Sequence, residues 1–213
     1  MTAAAAALPA PPAAGREIFG ARLGLAVRYG ERLAGDGVVR GLIGPAEVPR
    51  LWERHLLNCA VITDLVPDAA RVVDVGSGAG LPGLAMACRR ADLRIDLVES
   101  LARRVAFLTE TVTALGLDEA ARVVHGRAED AAVRGLVGNA QWVTARAVAP
   151  LDRLVRWCMP LLRPGGRLLA MKGVQAEAEV AALGRTRGFR VSIVLCGGDV
   201  LDTPVTVVVA QRD

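Results

Sequence analysis

The sequence predicts an α/β fold: a seven-stranded, mostly parallel sheet with an antiparallel closing hairpin, plus an N-terminal helical extension. Three observations carry that expectation. Short β-branched runs alternate with segments of helical period through the middle of the chain. The run Val72 to Val75 ends in glycines at 76, 78, 80 and 83, and an apolar, alanine-rich segment follows, which reads as strand, tight turn, helix. The last two runs, Val191 to Leu195 and Val205 to Ala210, are separated by a loop containing Gly197 and Gly198 and suit a hairpin.

Taken in order, residues 1–14 are mostly alanine and proline and read as a disordered tail. With no positive n-region and no long leucine-rich core, they are not expected to form a signal peptide. Residues 15–213 are expected to form one domain, with a helical extension over 15–66 and the core over 67–213. In the extension, Phe19, Leu23 and Val27 follow a helical stripe, and breaks are expected around Gly35-Asp-Gly37 and Gly44-Pro45. Further on, Trp52, Leu56, Cys59 and Thr63 share one helix face, while Leu51, His55, Asn58 and Ile62 form the neighbouring stripe. His55 is a candidate for the substrate pocket; Trp52 reads as packing. Past the glycine turn, Leu93 to Val98 is a strand ending at Glu99-Ser100, and Leu101 to Leu117 is a helix. Ala121 to His125 is a third strand, followed by the acidic loop to Asp130, where Glu129 and Asp130 also suit a helix cap. Gln141 to Thr144 starts a fourth strand that runs into Arg146, a helix begins near Leu151, and a fifth strand ends at Lys172.

Composition narrows the partners. Three Trp, one Tyr and three Phe are too few for a base-stacking platform, so nucleic-acid binding would depend on arginine. The net charge of +4 permits an anionic partner without requiring one. Lys172 is the only lysine, and codon bias explains most of that shortage. Seven arginines against five acids between Arg16 and Arg54 leave the extension weakly basic. Cys59, Cys88, Cys158 and Cys196 form no Cys-x-x-Cys pair, and there are only two histidines, so no metal site is expected and the thiols read as buried and reduced, in a cytoplasmic protein. No apolar run is long enough for a membrane span.

The glycine motif alone is ambiguous. Gly78-x-Gly80-x-x-Gly83, with Glu99 about 20 residues on, fits a dinucleotide fingerprint. A turn binding nothing also remains open. The earlier start, Val73-Asp-Val-Gly-Ser-Gly-Ala-Gly80, resembles the first motif of Rossmann-like S-adenosylmethionine-dependent methyltransferases, in which the acid supports the loop. Within that resemblance the acceptor atom can be narrowed. No cysteine follows the fourth strand for attack on a pyrimidine carbon. Ala145-Arg-Ala-Val-Ala-Pro150 is not the Asn-Pro-Pro-aromatic turn of exocyclic-amine enzymes, and a single lysine disfavours the paired-lysine scheme of ribose methylation. Guanine N7 remains, because its exposed lone pair needs positioning more than a base. Small-molecule acceptors stay open.

Leu51-Trp-Glu-Arg-His-Leu-Leu-Asn58, Asp74-Val-Gly-Ser-Gly-Ala-Gly-Leu-Pro-Gly83, Arg103-Arg-Val-Ala-Phe-Leu108, Ala145-Arg-Ala147 and Met171-Lys-Gly173, in that order, resemble the bacterial small-subunit ribosomal RNA guanine-N7 methyltransferases, the glucose-inhibited division protein B family. The resemblance implies S-adenosylmethionine as cofactor and a guanine of small-subunit ribosomal RNA as substrate. The candidate cofactor-binding residues are Gly76, Ser77, Gly78, Leu81, Glu99, Ser100, Ala128, Glu129 and Arg146. Arg146 is also a candidate for positioning the guanine, against the alternative that it pairs with Asp74 or another acid as a structural bridge. Asn58-Cys59 departs from the family's Asp-Ser, and Glu99 stands for a commoner aspartate. A monomer is expected. A nonenzymatic RNA-binding module keeping the fold, a small-molecule methyltransferase and an NAD-dependent oxidoreductase are the competing readings.

Overall fold

The computed structural model describes residues 7–184 and 187–213. The extension contains α1 (Ala13–Phe19), α2 (Leu23–Arg32), a π-helical turn (Leu33–Gly37), a 3-10 turn (Pro45–Arg50), a second π-helical turn (Trp52–Leu57), α3 (Asn58–Val61) and a 3-10 turn (Ile62–Leu65). The core follows as β1 (Arg71–Val75), α4 (Gly83–Arg89), β2 (Arg94–Glu99), α5 (Ala102–Leu115), β3 (Ala121–His125), α6 (Ala131–Val137), β4 (Ala140–Arg146), α7 (Leu151–Cys158), β5 (Leu162–Lys172), α8 (Ala176–Ala182), β6 (Phe189–Cys196) and β7 (Val205–Arg212).

Strand order is β3-β2-β1-β4-β5-β7-β6. The first five strands pair in parallel, and β7 runs antiparallel to both β5 and β6. Val72, Val73, Asp74 and Val75 of β1 are all buried, as a central parallel strand covered on both faces requires. On one face lie α4, α5 and the extension; on the other lie α6, α7 and α8. Residues 83–88 of α4 are buried throughout, sandwiched between sheet and extension, which explains a helix apolar all round. The chain winds outward from β1 to β3 and then returns to β4 beside β1. Ligands in open α/β sheets bind at such a switch point, outside the carboxyl ends of the strands. The glycine turn and Arg146 both sit there.

The extension is clamped to the core by polar contacts that reach far along the chain. Arg22 donates to the carbonyls of Cys88 and Ala87 at the end of α4, and Arg89 donates to Ala60 O and Thr63 Oγ1. Arg40 forms a bidentate pair with Glu110 of α5.

Two expectations are corrected. Residues 7–14 are not a free tail: Pro9 O accepts the Trp52 indole N–H at 2.8 Å, Leu8 packs over Gly30, and α1 starts at Ala13. A buried indole needs an acceptor, and the segment supplies it. Residues 1–6 of the expected tail lie outside the described residues. The expected break at Gly35-Asp-Gly37 is instead a widened helical turn. Burial of Leu33 and Ala34 outweighs a glycine cost of about 1 kcal/mol each, and the chain leaves the helix only at Gly41, at φ 66. α8 was not foreseen.

Gly83 sits where Cβ has no room: it would meet Leu97 Cδ2 at 2.4 Å and Asp74 Oδ2 at 2.7 Å. Gly83→Ala is expected to destabilise by about 1–3 kcal/mol in urea unfolding. Gly135→Ala, whose Cβ meets nothing within 4 Å on α6, should stabilise by up to about 1 kcal/mol. Equal stability of the two variants would contradict this packing.

Candidate active site

The turn after β1 is built from satisfied backbone groups. The N–H groups of Gly76 and Ser77 both donate to Val98 O, at 2.8 and 3.1 Å, extending the sheet by one step. Ser77 Oγ donates to Asp74 O, and Ser77 O in turn accepts from Gly80 and Leu81. Gly76, Gly78 and Gly80 have φ values of 70, 59 and 98, a region that favours glycine. Two carboxylates brace the turn from the core. Asp74 Oδ2 accepts the Gly83 N–H at 3.1 Å, and Glu99 Oε2 accepts the Gly78 N–H at 2.9 Å. Glu99 Oε1 takes the N–H groups of Ser100 and Leu101 at 2.8 and 2.9 Å. From the other side, the Tyr29 hydroxyl of α2 donates to Ala79 O at 2.9 Å.

A cleft of about 230 Å³ opens between this turn and the extension. Leu42, Ile43, Gly44, Glu47 and His55 form one wall, while Gly76, Ser77, Gly78, Ala79 and Leu81 form the other; Arg104, Arg146 and Ala147 close it. A Cβ at Gly78 would meet nothing nearer than 3.8 Å, so the backbone there is open to the cleft. Thus His55, Gly76, Ser77, Gly78, Leu81 and Arg146 come together as the sequence suggested. Glu99 lies directly behind Gly78, 3% exposed, with Ser100 beside it. Ala128 is buried among the residues on the opposite face of the sheet, and Glu129 follows β3 beside Arg127; neither lines this cleft. Asp130 precedes α6 but its carboxylate accepts the Arg127 N–H, and neither it nor Glu129 makes a helix-capping bond.

Arg146 does not bridge to Asp74. Its Nη1 donates to Arg54 O at 3.0 Å and its Nη2 lies 2.5 Å from His55 Nδ1. His55 Nε2 lies 3.1 Å from Glu47 Oε2. Burial, and then the Arg146 charge, hold the imidazole below its usual range. Burial pushes the Asp74 carboxyl up to about 7 and the neighbouring Cys59 thiol up to about 11. Lys172 serves the loop after β4: its Nζ donates to Ala149 O at 2.9 Å and Glu179 Oε2 at 2.7 Å. Glu47, Arg104, Tyr29 and Glu179 were not anticipated. Only the Gly44-Pro45 turn, which brings Glu47 back toward the helix carrying His55, gave any local signal.

The model of the rRNA small subunit methyltransferase G family, GidB, matches residues 22–195. The chain belongs to that family. It is 54% identical over 209 residues to the ribosomal RNA small subunit methyltransferase G of Salinispora arenicola, covering 94% of this chain and 86% of that protein. To its counterpart in Streptomyces avermitilis it is 55% identical over 208 residues, covering 96% and 86%. Among solved structures, a methyltransferase from Geobacter sulfurreducens aligns with a TM-score of 0.57 at 16% identity, over 88% of this chain and 87% of that one, a likeness of fold. The methyltransferase G family thus accounts for the fold, and the cleft suits a methyl-donor nucleoside: an open glycine backbone, a carboxylate behind it and a cation facing it.

A folded-state Asp74 that holds its proton up to about 7, against about 3.9 in an unfolded chain, favours the native state most at low pH. That contribution is lost as pH rises from about 4 through about 7. Asp74→Asn keeps an acceptor for Gly83 and cannot ionise, so its unfolding free energy should gain on the parent's between pH 5 and 8. A difference independent of pH would contradict the burial of this carboxyl.

Proposed function

We propose that this chain transfers the methyl group of S-adenosylmethionine to N7 of a guanine in small-subunit ribosomal RNA, acting as a cytoplasmic monomer without a metal ion. The observation that carries the reading is the braced glycine turn opening, at the switch point of a methyltransferase G sheet, onto Arg146, a cation with no carboxylate partner among the described residues. Bound there, S-adenosylmethionine supplies a methyl group on a positively charged sulfur. Gly76, Ser77, Gly78 and Leu81 would hold its methionine side and Glu99 and Ser100 its ribose, while Ala128 and Glu129, on the loop after β3 and outside the cleft, would meet the adenine beyond it. Glu99 can do so while bracing the turn, since each carboxylate oxygen has two lone pairs. Arg146 orients the guanine.

N7 carries a lone pair and no proton. Its methylation releases no proton and requires no general base; both nitrogens of His55 are engaged, and the Glu47 carboxylate is held by Arg50, Arg54 and His55. The residues therefore act by positioning and by excluding water, which the extension does by lying across the turn. Exposed Arg50 and Arg54 beside the cleft suit phosphate contacts. Four buried thiols fit a reducing compartment.

The direct test is transfer of labelled methyl from S-adenosylmethionine to small ribosomal subunits from cells lacking the protein, with the labelled base identified. Label on guanine N7 is expected; label on another base or none would overturn the proposal. Arg146→Ala should lower kcat/KM by roughly 100-fold with the fold retained. An unchanged rate in a folded variant would remove Arg146 from the reaction.

A further inference from the structure

Three side chains at the rim of the cleft form a chain of their own. Glu47 comes from the 3-10 turn Pro45–Arg50, His55 from the π-helical turn Trp52–Leu57, and Arg146 from the end of β4. The contacts are 3.1 Å from Glu47 Oε2 to His55 Nε2 and 2.5 Å from His55 Nδ1 to Arg146 Nη2. A guanidinium can only donate, so Nδ1 is the acceptor and the ring proton resides on Nε2, where Glu47 receives it. Arg146 has no ion pair among the described residues; its hydrogen bonds run to His55 and Arg54 O, with the Cys59 thiol beside it.

Building on the role proposed for Arg146, we infer that Glu47 and His55 are positioning residues of the reaction: Glu47 fixes the Nε2–H form of His55, whose Nδ1 aims the Arg146 guanidinium into the cleft.

The arrangement needs a neutral imidazole. A protonated His55 would set one N–H and one positive charge against another, and the contact to Arg146 would break. The charged groups facing His55 are Arg146 from β4, Glu47 from the preceding turn and Arg54 from its own; the two arginines oppose protonation, and Glu47 alone favours it. Burial opposes protonation most, the arginines add to it, and together they keep the ring below its ordinary value of 6.5. Methyl transfer should therefore fall on the acid side as His55 takes up a proton.

A bridge that merely tacked the extension to the sheet would raise stability without setting the pH profile, and this separates the two roles. The sequence has only two histidines, so the tautomer and titration of His55 can be read by nitrogen-15 NMR with His125 as internal reference. The parent should show a neutral, Nε2-protonated His55 at pH 7 that titrates below 6.5. Arg146→Gln should raise that titration point and Glu47→Gln should lower it. Glu47→Ala should lower kcat/KM by roughly 10-fold or more. Glu47→Gln, whose amide oxygen still accepts the Nε2–H, should recover most of that loss and move the acid limb of the profile to lower pH. An Nδ1-protonated His55, a titration indifferent to Arg146→Gln, or an acid limb left in place by Glu47→Gln would overturn the inference. Absence of methyl transfer by the parent protein, with these NMR couplings present, would count against the proposed function instead.

Discussion

The turn after β1 leaves the Gly78 backbone open to the cleft, yet Ser77, Ala79, Gly80 and Leu81 are buried and the polar backbone groups of the turn need partners. Two carboxylates resolve this. Asp74 and Glu99 between them accept the N–H groups of Gly83, Gly78, Ser100 and Leu101 from behind, and Tyr29 takes Ala79 O from the front. Leaving one such group unpaired costs about 1–3 kcal/mol, so the turn is held in one shape. The arrangement carries its own cost at Asp74, whose Oδ1 is buried with no partner and whose carboxyl stays protonated up to about 7. Rigidity before binding reduces what a ligand must spend on ordering the site.

The extension belongs to this device. Its α2 supplies Tyr29, its arginines seize the far end of α4 and the flank of α5, and its turns supply Glu47 and His55. The cleft has one wall from the core and one from the extension. Removing the extension would leave the glycine turn open to water and Arg146 without the contacts that direct it.

Much of this was legible in the chain. β1 to β5 follow from β-branched runs, and α4 from the alanine-rich segment, because burial on both faces of a parallel sheet demands continuous apolar stretches. The turn that brings Gly76 and Gly78 to the cleft was legible because a positive-φ turn admits few residues other than glycine. What escaped depends on contacts remote in sequence. Glu47 and Arg104 look like ordinary surface charges until the topology brings them to the same cleft, and Arg146 lies 91 residues from His55. Lys172, singled out for its rarity, turned out to hold the loop after β4 through Ala149 and Glu179. Proline and alanine at residues 7–14 suggested disorder, since composition cannot reveal that a tryptophan 43 positions away needs a carbonyl.

A turn shaped in advance has a structural consequence that can be measured directly. A crystal structure with S-adenosylhomocysteine bound should place the ligand along Gly76 to Gly78, between the ends of β1 and β4, with the backbone of the turn and the Asp74 and Glu99 contacts to it unchanged. A ligand seated elsewhere on the protein, or a turn rebuilt around it, would contradict the account.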